Sequence, residues 1–255
     1  MTHSVSTNMQ ALLERDEVEV PGYDLAAFAE KTLRSWQSLA AILDHTLLKP
    51  DAKREQVLQL CEEAARYRFA CAMVNPCWVP LVHSALAGTG IPVGVVVGFP
   101  LGASLTSTKR QETATLLRLG AGEIDMVMNV GLLKSGQPAA VRQDIQAVVE
   151  LAHDAGALVK VILENCLLSL EEKLLASELA IAAGADFIKT STGFSSGGAT
   201  VEDVSLMRGV AGGRCGVKAA GGVRTLDEAR DLVQAGANRI GASSSVAIVR
   251  SLGAP

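Results

Sequence analysis

From residue 40 onward the chain alternates eight short β-prone runs with longer stretches of helical periodicity. The runs are residues 41–46, 70–75, 93–99, 124–129, 158–164, 187–191, 216–220 and 239–242. Between them lie 54–67, 109–119, 138–155, 170–183, 201–210 and 226–235, whose apolar residues recur every three or four positions. A strand that is regularly followed by a helix implies parallel strands joined by crossovers, because parallel neighbours cannot be linked by a tight turn. Eight such units predict an α/β fold, a TIM (β/α)8 barrel, as one domain over residues 40–255. A doubly wound open sheet is the alternative, and it requires a reversal of strand order that sequence does not display. Aliphatic residues dominate the 49% apolar content, aromatics contribute 4%, and there are 24 glycines, a mixture suited to strands buried on both faces.

Thr225 and Glu228 have capping-box spacing, and Thr200 precedes Glu202 and Asp203 in the first turn of a helix. Residues 1–39 stand apart as an N-terminal extension. An amphipathic helix over 25–36 is expected to cover the barrel's N-terminal end, with a mobile first twenty residues. Residues 195–198, rich in serine and glycine, are expected to form a mobile loop after the sixth strand.

A formal charge of −4 gives no basis for binding nucleic acid or an anionic membrane. The longest apolar stretch, 91–103, is broken by glycine and proline and is too short to span a bilayer. The five cysteines include no Cys-x-x-Cys pair, and Glu14, Asp16, Glu17 and Glu19 replace the apolar core a signal peptide needs. A soluble cytoplasmic protein with reduced thiols is expected.

Two lysines interrupt apolar runs: Lys189 in Phe-Ile-Lys-Thr-Ser-Thr-Gly and Lys218 in Gly-Val-Lys-Ala-Ala-Gly-Gly. They are 29 residues apart, about one helix-strand unit, so their strands are neighbours roughly 4.8 Å apart. If both point inward, burial and mutual repulsion favour a neutral amine, a nucleophile for carbonyl carbon. If they point outward, they snorkel between helices. Asp125 sits within another apolar strand, either moving protons through water or making a structural salt bridge to Lys160. Asp44 ends the first strand, where it can bond a substrate hydroxyl or cap the following loop.

Three late loops suit an anion: 191–193, 221–224 and 241–244, each with glycine to let backbone N–H groups approach a phosphate. Ser243 and Ser244 are expected to open the last helix, where free N–H groups favour an anion. Histidines 3, 45, 83 and 153 are scattered, and no metal-ligand spacing is present. No Gly-x-Ser-x-Gly, Walker or Gly-x-Gly-x-x-Gly motif occurs in a fitting context. Imine chemistry on a phosphorylated carbonyl compound, without metal or cofactor, is what the residues suggest.

The segments 43–47 (Leu-Asp-His-Thr-Leu), 123–127 (Glu-Ile-Asp-Met-Val), 187–193, 217–225 and 241–244 follow one another as in the deoxyribose-phosphate aldolase family. The resemblance runs over about residues 40–250. It implies a class I aldolase on a TIM barrel that cleaves 2-deoxy-D-ribose 5-phosphate reversibly to D-glyceraldehyde 3-phosphate and acetaldehyde in deoxyribose catabolism. By this resemblance Lys189 forms the Schiff base, Lys218 lowers its pKa and relays protons, and Asp125 is the proton-relay carboxylate. Lys160 supports the relay, and Asp44 and Thr46 line the substrate side. The phosphate rests on Gly193, Gly221, Gly222, Gly241, Ser243 and Ser244, with Arg224 nearby. A sugar phosphate is the implied partner, and a homodimer the implied assembly. The chain departs from some relatives in having Met73 in place of a cysteine and Phe194 in place of a lysine. Its tyrosines are at 23 and 67 rather than in a C-terminal tail. Three other readings are a barrel aldolase with a ketone donor, a non-catalytic sugar-phosphate sensor and a metal-dependent epimerase.

Overall fold

A computed structural model describes residues 23–255, so the expectation for the first twenty residues lies outside the described residues. The strands are β1 (Leu43–Leu47), β2 (Cys71–Val74), β3 (Val93–Val97), β4 (Glu123–Val127), β5 (Leu158–Ile162), β6 (Phe187–Lys189), β7 (Gly216–Ala220) and β8 (Arg239–Ala242). All run parallel in sequence order, and β1 pairs with β8 to close the barrel, which eliminates the open sheet. Several strands end one or two residues before their apolar runs do. After β3, Gly98 takes φ +62°, and after β5, Glu164 takes φ +60°, so both turn the chain out of the ladder.

The helices are α1 (Leu25–Leu33), α2 (Trp36–Ala40), α3 (Arg54–Tyr67), α4 (Val79–Ala85), α5 (Thr106–Arg118), α6 (Val130–Lys134), α7 (Pro138–Asp154), α8 (Leu170–Ala182), α9 (Val201–Ala211), α10 (Leu226–Gln234) and α11 (Ser245–Ser251). Thr225 and Glu228 form the anticipated capping box, and Thr200 accepts the Asp203 N–H. The helix expected over 25–36 is instead two, because Ser35 is extended (φ −148°) and its hydroxyl accepts the Ser38 N–H to start a new helix. α1 lies against α10 and α2 against α11, and the Arg208 guanidinium sits 4.3 Å from the Tyr23 ring centroid. No described helix is long and apolar enough to cross a membrane.

Strand alternation sorts the side chains into two interiors. Val95, Ile124, Met126, Val159, Val161, Ile188, Val217 and Ile240 are fully buried apolar residues. They point outward from the barrel and pack against the helices as part of one continuous core. The opposite parity turns Asp44, Glu123, Asp125, Lys160, Lys189, Lys218 and Arg239 inward. The register sets Asp125 beside Lys160, Lys189 beside Lys218, and Lys218 beside Arg239. The barrel's centre is therefore ionic where aliphatic layers are usual.

Candidate active site

Asp125 is the hub of this ionic centre. Its Oδ1 accepts from Lys160 Nζ at 2.8 Å, and its Oδ2 accepts from Lys189 Nζ at 2.7 Å and Lys218 Nζ at 2.6 Å. Lys218 also contacts Asp44 Oδ2, and Lys160 reaches Glu123 Oε2 at 2.6 Å. Arg239 closes the lower layer, 3.1 Å from Asp44 and 3.0 Å from Glu123. Gly241 leaves space for this packing, since a Cβ there would lie 3.1 Å from Lys218 Cε. Isolated buried ions are strongly disfavoured, so a cluster like this persists only because each charge has close partners. Three carboxylates face three ammonium groups and one guanidinium, so the set balances when one lysine is neutral.

Lys189 is suited to be that lysine. Burial, opposed by Asp125 and reinforced by the Lys218 charge, brings its pKa down to about 8. Lys160 behaves oppositely: burial disfavours its charge, but Asp125, Asp44 and Glu123 outweigh that and raise it well above the ordinary lysine value. Burial would push Asp125 up, yet Lys160, Lys189 and Lys218 hold it well below the usual carboxylate range. Lys218 thus contributes to lowering Lys189, but burial is the larger cause.

Of the inner lysines and carboxylates, only Lys189 lines the cleft at the strands' C-terminal ends, a space of about 360 Å³. Thr46, Gly193, Phe194, Gly221, Gly222, Arg224, Gly241 and Ser243 share its wall. The backbone N–H groups of Gly193, Gly222 and Ser243 meet no acceptor among the described residues. Such free amides around one space suit an anion. The Arg224 N–H is already used, donating to Glu228 Oε2 at 2.7 Å, so only its exposed guanidinium remains available.

Two residues lie elsewhere than the sequence suggested. Asp44 does not line the substrate side: it is fully buried beneath the cleft, with Lys218 and Arg239 against its oxygens. Ser244 precedes α11 and lies outside the cleft wall. The loop 195–198, expected to be mobile, runs into a tether, the Ala199 N–H donating to Gly221 O at 3.0 Å. Gly198 permits that approach, because a Cβ would lie 2.2 Å from the same oxygen. His45 turns outward to Glu63, 2.8 Å away. Neither tyrosine is at the cleft: Tyr67 donates to Pro255 O at 2.7 Å, and Tyr23 stacks on Arg208.

Glu123 and Arg239 carry roles the sequence reading did not assign, although Glu123 shares the inward parity of Asp125 two residues on. Asp44, Cys71 and Glu123 also bring ligand-type atoms within 4.8 Å of one another, a grouping from three strands that local spacing cannot reveal. Lys218, Lys160 and Arg239 already lie against its two carboxylates, giving them the positive charge a cation would supply.

This fold and this constellation define a class, the (β/α)8-barrel enzymes that work through a lysine amine. Within it, the chain belongs to the DeoC/LacD family of aldolases, whose family model matches residues 38–251. It is 55% identical over 212 residues to the deoxyribose-phosphate aldolase of Bacillus cytotoxicus, covering 83% of this chain and 95% of that one. Its identity to the Clostridium novyi deoxyribose-phosphate aldolase is 57% over 212 residues, with the same coverage. The crystallised deoxyribose phosphate aldolase of Aeropyrum pernix, described as a tetramer, is similar with a TM-score of 0.83 and 37% identity, over 89% of this chain and 96% of that chain.

Proposed function

We propose that this chain cleaves 2-deoxy-D-ribose 5-phosphate reversibly to D-glyceraldehyde 3-phosphate and acetaldehyde through an imine on Lys189. The observation that carries the proposal is the placement of Lys189: buried against Asp125, it opens onto a cleft lined by free backbone amides, and burial brings its pKa down to about 8. The relatives named deoxyribose-phosphate aldolase supply the substrate.

The neutral Lys189 amine attacks C1 of the open-chain aldehyde, and loss of water leaves a protonated imine. The two carbons of acetaldehyde are C1 and C2, so the bond that breaks is C2–C3; cleavage at C3–C4 would leave a three-carbon donor. The C2–C3 electron pair flows into the iminium to form an enamine as the C3 hydroxyl loses its proton. Asp125 lies one layer below the cleft, so it receives that proton through Lys218 and water. A carboxylate so strongly favoured in its ionised form passes the proton on rather than storing it. Protonation of the enamine at C2 and hydrolysis release acetaldehyde and restore the amine. Phosphate contacts at Gly193, Gly221, Gly222, Gly241, Ser243 and Arg224, all on the cleft wall, align the reacting carbons with binding energy from the far end of the substrate. Five free cysteines support the cytoplasm as the setting, and the tetrameric relative supports a self-associating chain, with a homodimer as its simplest form.

Borohydride trapping with 2-deoxyribose 5-phosphate or acetaldehyde, followed by mass spectrometry of the peptide containing residue 189, tests the proposal. A two-carbon adduct on Lys189, lost in Lys189→Leu, is expected. An adduct on Lys218 overturns the assignment of the two lysines. No adduct on a folded, phosphate-binding protein favours the sensor reading instead. Trapping should accelerate as pH rises through about 8, because only the neutral amine attacks. In Lys218→Leu the midpoint should move upward, since a like charge is removed while burial remains; an unchanged midpoint contradicts that role.

A further inference from the structure

Glu164 is a buried carboxylate outside the ionic centre, and the mechanism above leaves it without a role. It is 4% exposed and forms no salt bridge among the described residues. Its backbone lies in the left-handed region (φ +60°, ψ +60°), a conformation costly for a residue with a side chain and one that collects at functional sites. The turn drives its carboxylate toward the segment after Lys189, which runs alongside: Leu163 N–H donates to Lys189 O at 2.9 Å, and Asn165 N–H to Thr190 O at 3.0 Å.

Both Glu164 oxygens are used on Thr192. The Thr192 N–H donates to Oε1 at 3.2 Å, and the Thr192 hydroxyl donates to Oε2. The same hydroxyl oxygen accepts the Phe194 N–H at 3.0 Å. The amides on either side of Gly193 are thereby committed, while Gly193, at φ +82°, keeps its own N–H free on the cleft wall. Gly193 in turn abuts Gly221: a Cβ on Gly221 would lie 3.4 Å from Gly193 Cα, so the two anion loops rest on each other. Behind Thr192 and Phe194, Glu164 borders a separate space of about 110 Å³. Thr192 and Phe194 are thus a partition with the cleft on one side, and the carboxylate holds it from the other.

We infer that Glu164 is a positioning residue for the phosphate end of the substrate, holding the 192–194 backbone so that the Gly193 amide faces the anion. A carboxylate suits this task because both oxygens only accept, which directs the Thr192 hydroxyl proton toward Glu164 and leaves its oxygen to receive the Phe194 N–H. The inference rests on the phosphate reading proposed above.

Glu164→Gly tests it, since glycine removes the carboxylate and relaxes the positive φ together. KM for 2-deoxyribose 5-phosphate should rise about tenfold or more, as for a lost charge-assisted hydrogen bond. kcat/KM for unphosphorylated 2-deoxyribose, and borohydride trapping with acetaldehyde, should change about twofold or less. Thr192→Val should also raise KM for the phosphorylated substrate, and the double variant should be little worse than either single one, because both remove one clamp. Equal losses on both substrates would mark Glu164 as merely structural, and an unchanged KM for the phosphorylated one would end the inference. Should the glycine variant not fold, Glu164→Gln, which keeps one acceptor, should show a smaller KM rise in the same direction. Calorimetry with inorganic phosphate separates this inference from the proposed activity. A wild type that binds phosphate more tightly than Glu164→Gly, yet cleaves nothing, supports the clamp and refutes the reaction; phosphate affinity identical in the two proteins refutes the clamp.

Discussion

Lys189→Leu lowers turnover about 10⁴-fold or more and removes the trapped adduct, while the protein stays folded and becomes more stable at neutral pH. The loss is large because no other lysine of the buried ionic centre opens onto the cleft, and groups acting as one covalent unit fail together. The stability gain follows from the amine's environment. Burial, partly offset by Asp125, brings Lys189 down to about 8, so the folded state disfavours its protonated form relative to the unfolded chain. That penalty is of order 3 kcal/mol when complete. It is complete below pH 8, where both states are protonated, and it is relieved as pH rises above 8 and the folded state sheds its proton first. The variant's advantage over wild type should therefore be greatest near pH 7 and shrink toward pH 10. Urea unfolding of both proteins at the two pH values reads this directly. A variant less stable than wild type at pH 7 would mean that the Lys189–Asp125 contact outweighs the cost of burial.

Asp125→Asn separates imine formation from carbon–carbon cleavage. Turnover should fall about 10²–10⁴-fold, the range of a lost general acid–base. Trapping by acetaldehyde should persist, and its pH midpoint should move below 8, because Asp125 is the group that raises the Lys189 pKa against burial. The variant should also be less stable, since removing one partner from a buried ionic set leaves charge uncompensated. Turnover at the wild-type level would refute the relay, and loss of trapping in a folded variant would show that Asp125 serves imine formation itself.

Much of the barrel was legible because its signals are local. Six of the long helices matched to within a few residues, since each contains several turns of apolar recurrence. α4 and α6, with seven and five residues, are too short for a periodicity to register. Lys189, Lys218 and Asp125 stood out as charges in apolar runs. Arg239 did not, because its partners Asp44 and Glu123 come from strands brought beside it only by closure of the barrel. Asp44 was misplaced for a related reason: alternation tells which face a side chain takes, not how deep along the barrel axis it lies. Glu164 was hidden by its left-handed backbone, which breaks the alternation at the residue that matters.

The ionic centre has a consequence for how such a chain can change over generations. Asp44, Glu123, Asp125, Lys160, Lys218 and Arg239 each touch at least one opposite charge in the set, and each lies in the interior. A substitution that neutralises one of them leaves an odd charge behind, whereas a second substitution of opposite sign restores the balance. Tolerated variation at these six positions should therefore arrive in matched pairs, with single replacements absent from a selected library. The barrel's centre inherits as one unit, while the apolar layer outside it is free to drift one methyl group at a time.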